Sequence, residues 1–203
     1  MTNSGFPDPF GLFLKPAFLD EETCARIRAE ARSVPGHPAP VYLDDSPDLI
    51  HQNVRKTTSI EISEATIAMI HQRLRELTRE LSEHFGVELE DCEPPQFLMY
   101  KPGDFFVRHQ DGNTGLIRFD HLRVRRVSIV VFLNREVTDE SVPESYGGGA
   151  LMFYGNTPPP EFAPLERKLH GETGLLVAFA AQTTHEVPPI AFGERFSIVS
   201  WFK

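Results

Sequence analysis

After Pro95 the chain becomes a succession of short apolar or alternating runs, at 96–101, 104–110, 126–133, 150–154, 175–180 and 195–202, each closed by turn residues. Runs this short, rich in Val, Ile, Phe and Tyr, read as strands. Six or more strands with few helices between them bury their apolar faces by stacking on one another. The expected fold is therefore mainly β, a sandwich or double-stranded β-helix (jelly roll). Two helices precede the series. Asp20 is suited to cap the first, which should reach about Ser33, with Leu19 stapling its start. The second follows Ser63 and carries Ile67, Ile70, Leu74, Leu77, Leu81 and Phe85 at steps of three and four before Gly86 closes it. Both helices should pack on one face of the strands. The chain thus reads as one domain over 1–203, with helical support and early strands in 1–95 and the β core in 96–203.

Composition narrows the function classes. A chain of 203 residues with 40% hydrophobic content can bury roughly 70% of its unfolded surface. The formal net charge of -9 argues against nucleic acid or an anionic membrane as partner. Cys24 and Cys92 stand far apart in no metal-type spacing, so two free thiols in a reducing compartment are expected. The first residues lack a basic start followed by an apolar run, and no apolar stretch approaches the ~20 residues of a membrane span. A cytoplasmic protein is the expectation. The segments 37–53, 112–125 and 135–148 are suited to be lids over a cavity.

His109-Gln110-Asp111 ends a predicted strand, where residues two apart share a face and can reach one metal ion. A lone His-x-Asp is a weak signal. His185 follows the strand at 175–180, and Arg195 comes ten residues later at the start of the final strand. Two imidazoles and one carboxylate leave coordination positions open for a co-substrate and O2, the ligand pattern of non-haem iron oxygenases. The segment 185–195 reads as a strand, a Gly-containing connection and a returning strand, which can bring Arg195 to the same cavity. Its planar, always charged fork suits a carboxylate. His37, His51, His71, His84 and His121 have no such company, and His170-Gly171-Glu172 lies in a turn region with no arginine suitably placed. Two rival readings use the same ligands. One is a jelly-roll sensor that binds metal without turnover. The other is a zinc hydrolase, which leaves Arg195 unexplained and lacks a general base.

The ordered motifs Tyr100-Lys-Pro-Gly, His109-x-Asp111, 126–134 (RVSIVVFLN), 148–153 (GGALMF), His185-Glu-Val and Arg195-Phe-Ser197 with Trp201-Phe202 resemble the Fe(II)/2-oxoglutarate-dependent oxygenase superfamily. Within it they are similar to the prolyl 4-hydroxylase branch that includes the hypoxia-sensing prolyl hydroxylases. The resemblance covers 96–203 well and the earlier residues loosely. It implies Fe(II) held by His109, Asp111 and His185, with 2-oxoglutarate chelating the metal and its far carboxylate paired with Arg195 and Ser197. Tyr100 matches a co-substrate contact, with a core aromatic as the plain alternative. Arg125 and Arg55 match positions that face substrate or border the mouth, against a plain solvated charge. One departure is Phe132, where the hypoxia-sensing enzymes carry a tyrosine hydroxyl near the far carboxylate. The implied activity is a dioxygenase that converts 2-oxoglutarate to succinate and CO2 while hydroxylating an unactivated C–H bond, with O2 consumed and ascorbate as an optional reductant. A prolyl residue of a peptide or protein is the favoured target. A free amino acid or a small biosynthetic intermediate would need the same centre.

Overall fold

The computed structural model describes residues 8–39, 53–112, 124–155 and 165–203. Asp20 caps the first helix as expected: its Oδ1 accepts the Thr23 backbone N–H at 2.7 Å, and α1 runs Glu21–Ser33. Ser63 likewise caps α2 (Glu64–Arg75), but the one long helix that the spacing predicts is divided. The Leu77 N–H bonds the Leu74 carbonyl at 2.9 Å, and the Thr78 hydroxyl donates to the Arg75 carbonyl at 2.7 Å. A hydroxyl bonding back into the preceding turn competes with the helical ladder, so a separate helix, α3, runs Thr78–Phe85. Ile70, Leu74 and Leu81 still share one buried cluster across this break.

The described residues form fourteen strands: β1 (Phe13–Lys15), β2 (Gly36–Pro38), β3 (Arg55–Lys56), β4 (Thr58–Ile60), β5 (Gln96–Tyr100), β6 (Phe105–His109), β7 (Val127–Phe132), β8 (Tyr146–Gly148), β9 (Leu151–Tyr154), β10 (Glu166–Leu169), β11 (Leu176–Ala180), β12 (Thr184–Val187), β13 (Ile190–Gly193) and β14 (Arg195–Phe202). The six predicted runs are β5, β6, β7, β9, β11 and β14. Others, such as the charged β10 and the glycine-rich β8, have no hydrophobic pattern to reveal them. The larger sheet has the order β1-β11-β7-β14-β5-β4-β2, the smaller one β10-β9-β12-β6-β3, and β8 pairs with β13. The early strands expected in 1–95 are β1, β2 and β4, which widen the larger sheet, and β3, which edges the smaller one.

Side chains alternate along the central strands and feed two cores. Ile129, Val131, Phe196 and Ile198 join Ile27, Ile70, Leu74 and Leu81 beneath the helices. Leu98, Tyr100, Val130, Phe132, Val177 and Phe179 face Leu151, Phe153 and Val187 of the smaller sheet. These strands are apolar throughout because both their faces are covered. The segment 135–148 is part of this body and not a lid: Tyr146 is fully buried, and Glu144 pairs with Arg28 at 3.2 Å and Arg32 at 2.9 Å on α1. The other two expected lids fall almost wholly on 40–52 and 113–123, outside the described residues. No helix among the described residues is long and apolar enough to cross a membrane.

Candidate metal centre

His109 and His185 are direct cross-strand partners between β6 and β12, and their ring centroids lie 4.1 Å apart. Asp111 follows the end of β6, where its backbone N–H and that of Gly112 both donate to the Ala181 carbonyl at 2.9 Å. This anchor turns the carboxylate toward the two imidazoles. His109 Nε2 stands 3.5 Å from Asp111 Oδ1, and His185 Nε2 stands 3.5 Å from Asp111 Oδ2. One ligand atom from each residue falls within 4.8 Å of the others.

The other ring nitrogens define which tautomer is present. His109 Nδ1 lies 2.8 Å from the Val107 carbonyl and His185 Nδ1 lies 2.9 Å from the Thr183 carbonyl. A carbonyl only accepts, so each Nδ1 carries the proton and each Nε2 presents a lone pair. Burial, followed by the charge of His109, pulls His185 down to about 4 against the opposing pull of Asp111. Burial alone would raise Asp111, but the His185 and His109 imidazoles and the Trp201 side chain hold it well below the usual carboxylate range. At neutral pH the trio is thus a carboxylate with a neutral buried imidazole, the protonation states a metal requires. Ser128 also donates to Asp111 Oδ2 at 2.8 Å. This donor set, with one face left open, fits Fe(II).

Arg195 lies in the same inter-sheet space at 1% exposure, with its guanidinium 5.1 Å from the ring centres of both Tyr100 and Phe132. It donates to Ser197 Oγ at 3.0 Å, two residues along the same face of β14. Its Nε has no hydrogen-bond partner among the described residues, and no described carboxylate pairs with it. A buried cation left in this state calls for an anion. Tyr100, 2% exposed and the register partner of Arg195, walls this pocket.

The two arginines read as substrate contacts are placed differently. Arg125 is a correction: it is buried, grips Glu93 through two hydrogen bonds of 2.8 and 2.7 Å, and stacks 3.6 Å over the Trp201 ring. Its fork is occupied by Glu93, so it stiffens Trp201 and does not offer a cation to substrate. Arg55 on β3 lies 4.8 Å over the Phe106 ring, which itself stacks on His109 at 3.5 Å, so it stands at the rim of the centre. Sequence reasoning missed Ser128 as a support for Asp111, although a serine inside the apolar run of β7 was a signal. It also missed Tyr146, a fully buried residue of β8. A second donor group, His71, Asp91 and Cys92, is already engaged. His71 Nε2 lies 3.0 Å from the Cys92 carbonyl, Asp91 pairs with Arg75 at 3.1 Å, and burial pushes the Cys92 thiol up to about 11.

Antiparallel sheets enclosing two histidines, an aspartate and a buried arginine define a jelly-roll oxygenase-type centre. Residues 95–203 match the family model of the 2OG-Fe(II) oxygenase superfamily, and the chain belongs to that family, whose metal is Fe(II) and whose co-substrate is 2-oxoglutarate. A PKHD-type hydroxylase of Burkholderia lata is 31% identical over 111 residues, 54% of this chain and 43% of that protein. One from Shewanella baltica is 30% identical over 118 residues, 54% of this chain and 42% of the relative. The matched stretch thus spans less than half the length of these relatives. Among solved structures, a Pseudomonas putida prolyl-4-hydroxylase superposes with a TM-score of 0.69 at 24% identity, covering 96% of this chain and 93% of that one. A Trichoplax adhaerens prolyl hydroxylase in complex with a peptide fragment of hypoxia inducible factor gives 0.68 at 16% identity, covering 96% and 84%. The epimerase SnoN, crystallised with Fe3+, alpha ketoglutarate and nogalamycin RO, gives 0.63 at 14% identity, covering 95% and 78%. At these identities the structures share the fold.

Proposed function

We propose that this chain is a 2-oxoglutarate-dependent dioxygenase that hydroxylates an unactivated C–H bond, with a prolyl residue of a peptide or protein as substrate. The observation that carries the reading is the meeting of two kinds of group between the same two sheets. Three metal donors have Nε2 and carboxylate oxygens turned to one point, and a buried arginine nearby lacks a described counter-anion. His109, Asp111 and His185 would hold Fe(II), while Arg195 and Ser197 would hold the far carboxylate of 2-oxoglutarate. Bound Fe(II) with 2-oxoglutarate and O2 supplies the oxidising chemistry, and the co-substrate leaves as succinate and CO2. Phe153 and Phe179 pack their rings 5.1 Å apart and Phe179 lies 4.7 Å from His185, so the inner side of the centre is kept dry. Arg55 at the rim is the candidate substrate contact. The prolyl assignment is supported by the fold neighbours, among them the prolyl hydroxylases of Pseudomonas putida and Trichoplax adhaerens.

Purified protein with Fe(II), 2-oxoglutarate and ascorbate should release succinate, and proline-containing peptides should raise that rate and gain 16 Da, read by mass spectrometry. Peptides left unmodified while a free amino acid or small metabolite stimulates succinate release would move the reading to the small-molecule alternative. Metal and 2-oxoglutarate bound with no succinate under any substrate would leave the sensor reading.

A further inference from the structure

The hydroxyl missing at Phe132 has a counterpart elsewhere in the same pocket. Tyr146 opens β8, is fully buried, and its hydroxyl has no hydrogen-bond partner among the described residues. It lies close enough to the Arg195 guanidinium for that charge to oppose the effect of burial on its ionisation. Tyr146 and Phe132 converge on one spot: a Cβ at Gly171 would strike the Tyr146 hydroxyl and approach Phe132 Cδ1 to 2.7 Å. Only a glycine leaves room for both rings at this point. Three polar groups therefore share this buried corner: the Arg195 fork, the Ser197 hydroxyl it donates to, and the Tyr146 hydroxyl.

A buried phenol with no partner costs stability unless something accepts its proton. Burial pushes the Tyr146 hydroxyl up to about 12 despite the neighbouring arginine, so it remains a proton donor. The other charge acting on it is Glu136, whose carboxylate lies 3.1 Å from His170 Nδ1. An arginine fork and a donating hydroxyl suit a carboxylate and offer little to a methyl group.

We propose that Tyr146 is a co-substrate positioning residue, whose hydroxyl donates to the far carboxylate of 2-oxoglutarate alongside Arg195 and replaces the contact that Phe132 lacks. This rests on the oxygenase reading above. Tyr146 thereby helps select a 2-oxo diacid over a 2-oxo monoacid.

The test is an anaerobic titration of the Fe(II)-loaded protein, following the visible charge-transfer band, with 2-oxoglutarate and separately with 2-oxopentanoate, which has a methyl group in place of the far carboxylate. Tyr146→Phe should weaken 2-oxoglutarate by about 10- to 150-fold and leave 2-oxopentanoate within about twofold. The double variant Phe132→Tyr/Tyr146→Phe, which moves the hydroxyl to the neighbouring ring, should recover part of the loss. A change of less than about threefold for 2-oxoglutarate in Tyr146→Phe, or equal weakening of both ligands, would overturn the proposal while the oxygenase reading stands. Failure of the wild type to bind 2-oxoglutarate with iron in place would overturn that reading and this inference together.

Discussion

At the scale of single residues, the metal trio depends on side chains that never reach the metal. Asp111 receives a hydrogen bond from Ser128, the Trp201 side chain helps to hold its negative charge, and Trp201 is clamped in turn by the Arg125–Glu93 pair. Trp201→Phe retains most of the packing and removes the indole donor. It is expected to weaken Fe(II) binding by about 10- to 100-fold, as loss of an outer partner of a ligand does, measurable by competition with a metal-sensitive dye. Arg125→Ala should act in the same direction by loosening Trp201. His185→Ala removes a ligand outright and should abolish both metal binding and turnover, measured by metal analysis and succinate release. Full activity in that variant would show that another histidine completes the site.

At the scale of elements, the helices matter because they hold the larger sheet from behind. Leu74 on α2 is fully buried among Ile27, Ile70 and the outer-face residues of β7 and β14. Leu74→Ala should cost about 2 to 5 kcal/mol in urea unfolding, while metal affinity in the folded fraction is retained. Cys24 on α1 and Cys92 before β5 are buried, and burial pushes both thiols up to about 11. Both should resist a thiol reagent at pH 8 in the native protein and react fully in denaturant. Rapid native reaction of either would show that its covering helix opens readily.

At the scale of the whole molecule, the buried His185 ties stability to pH. Its folded pKa of about 4 lies below the ordinary value of 6.5, so between these limits the unfolded chain takes up a proton that the folded chain refuses. The metal-free protein should therefore lose stability as pH falls from 6.5 to about 4, by roughly 3 kcal/mol from this group, and protonation of Asp111, held below the usual carboxylate range, should continue the decline at lower pH. Denaturant unfolding across the range measures it. His185→Gln, which cannot take up a proton there, should flatten the curve.

The strand series after Pro95, both helix caps and the candidate ligands were legible because each is a local signal: an apolar run, a capping side chain, an ordered motif. The break at Leu77 was not, since the hydrophobic spacing continues through it and only the Thr78 hydroxyl interrupts the ladder. Nor was the fate of Arg125. Its charge looks available in the sequence, and only the approach of Glu93, 32 residues away, occupies it. Tyr146 was invisible for the same reason. A tyrosine before a run of glycines carries no label until the fold brings it beside Arg195 and Phe132, residues from two other strands. The sequence by itself determined the strand character of the apolar runs, the capped starts of the first two helices and the donor types at the centre. Tertiary structure alone decided which charges are neutralised and which buried polar atoms converge, because those depend on contacts between residues far apart in the chain.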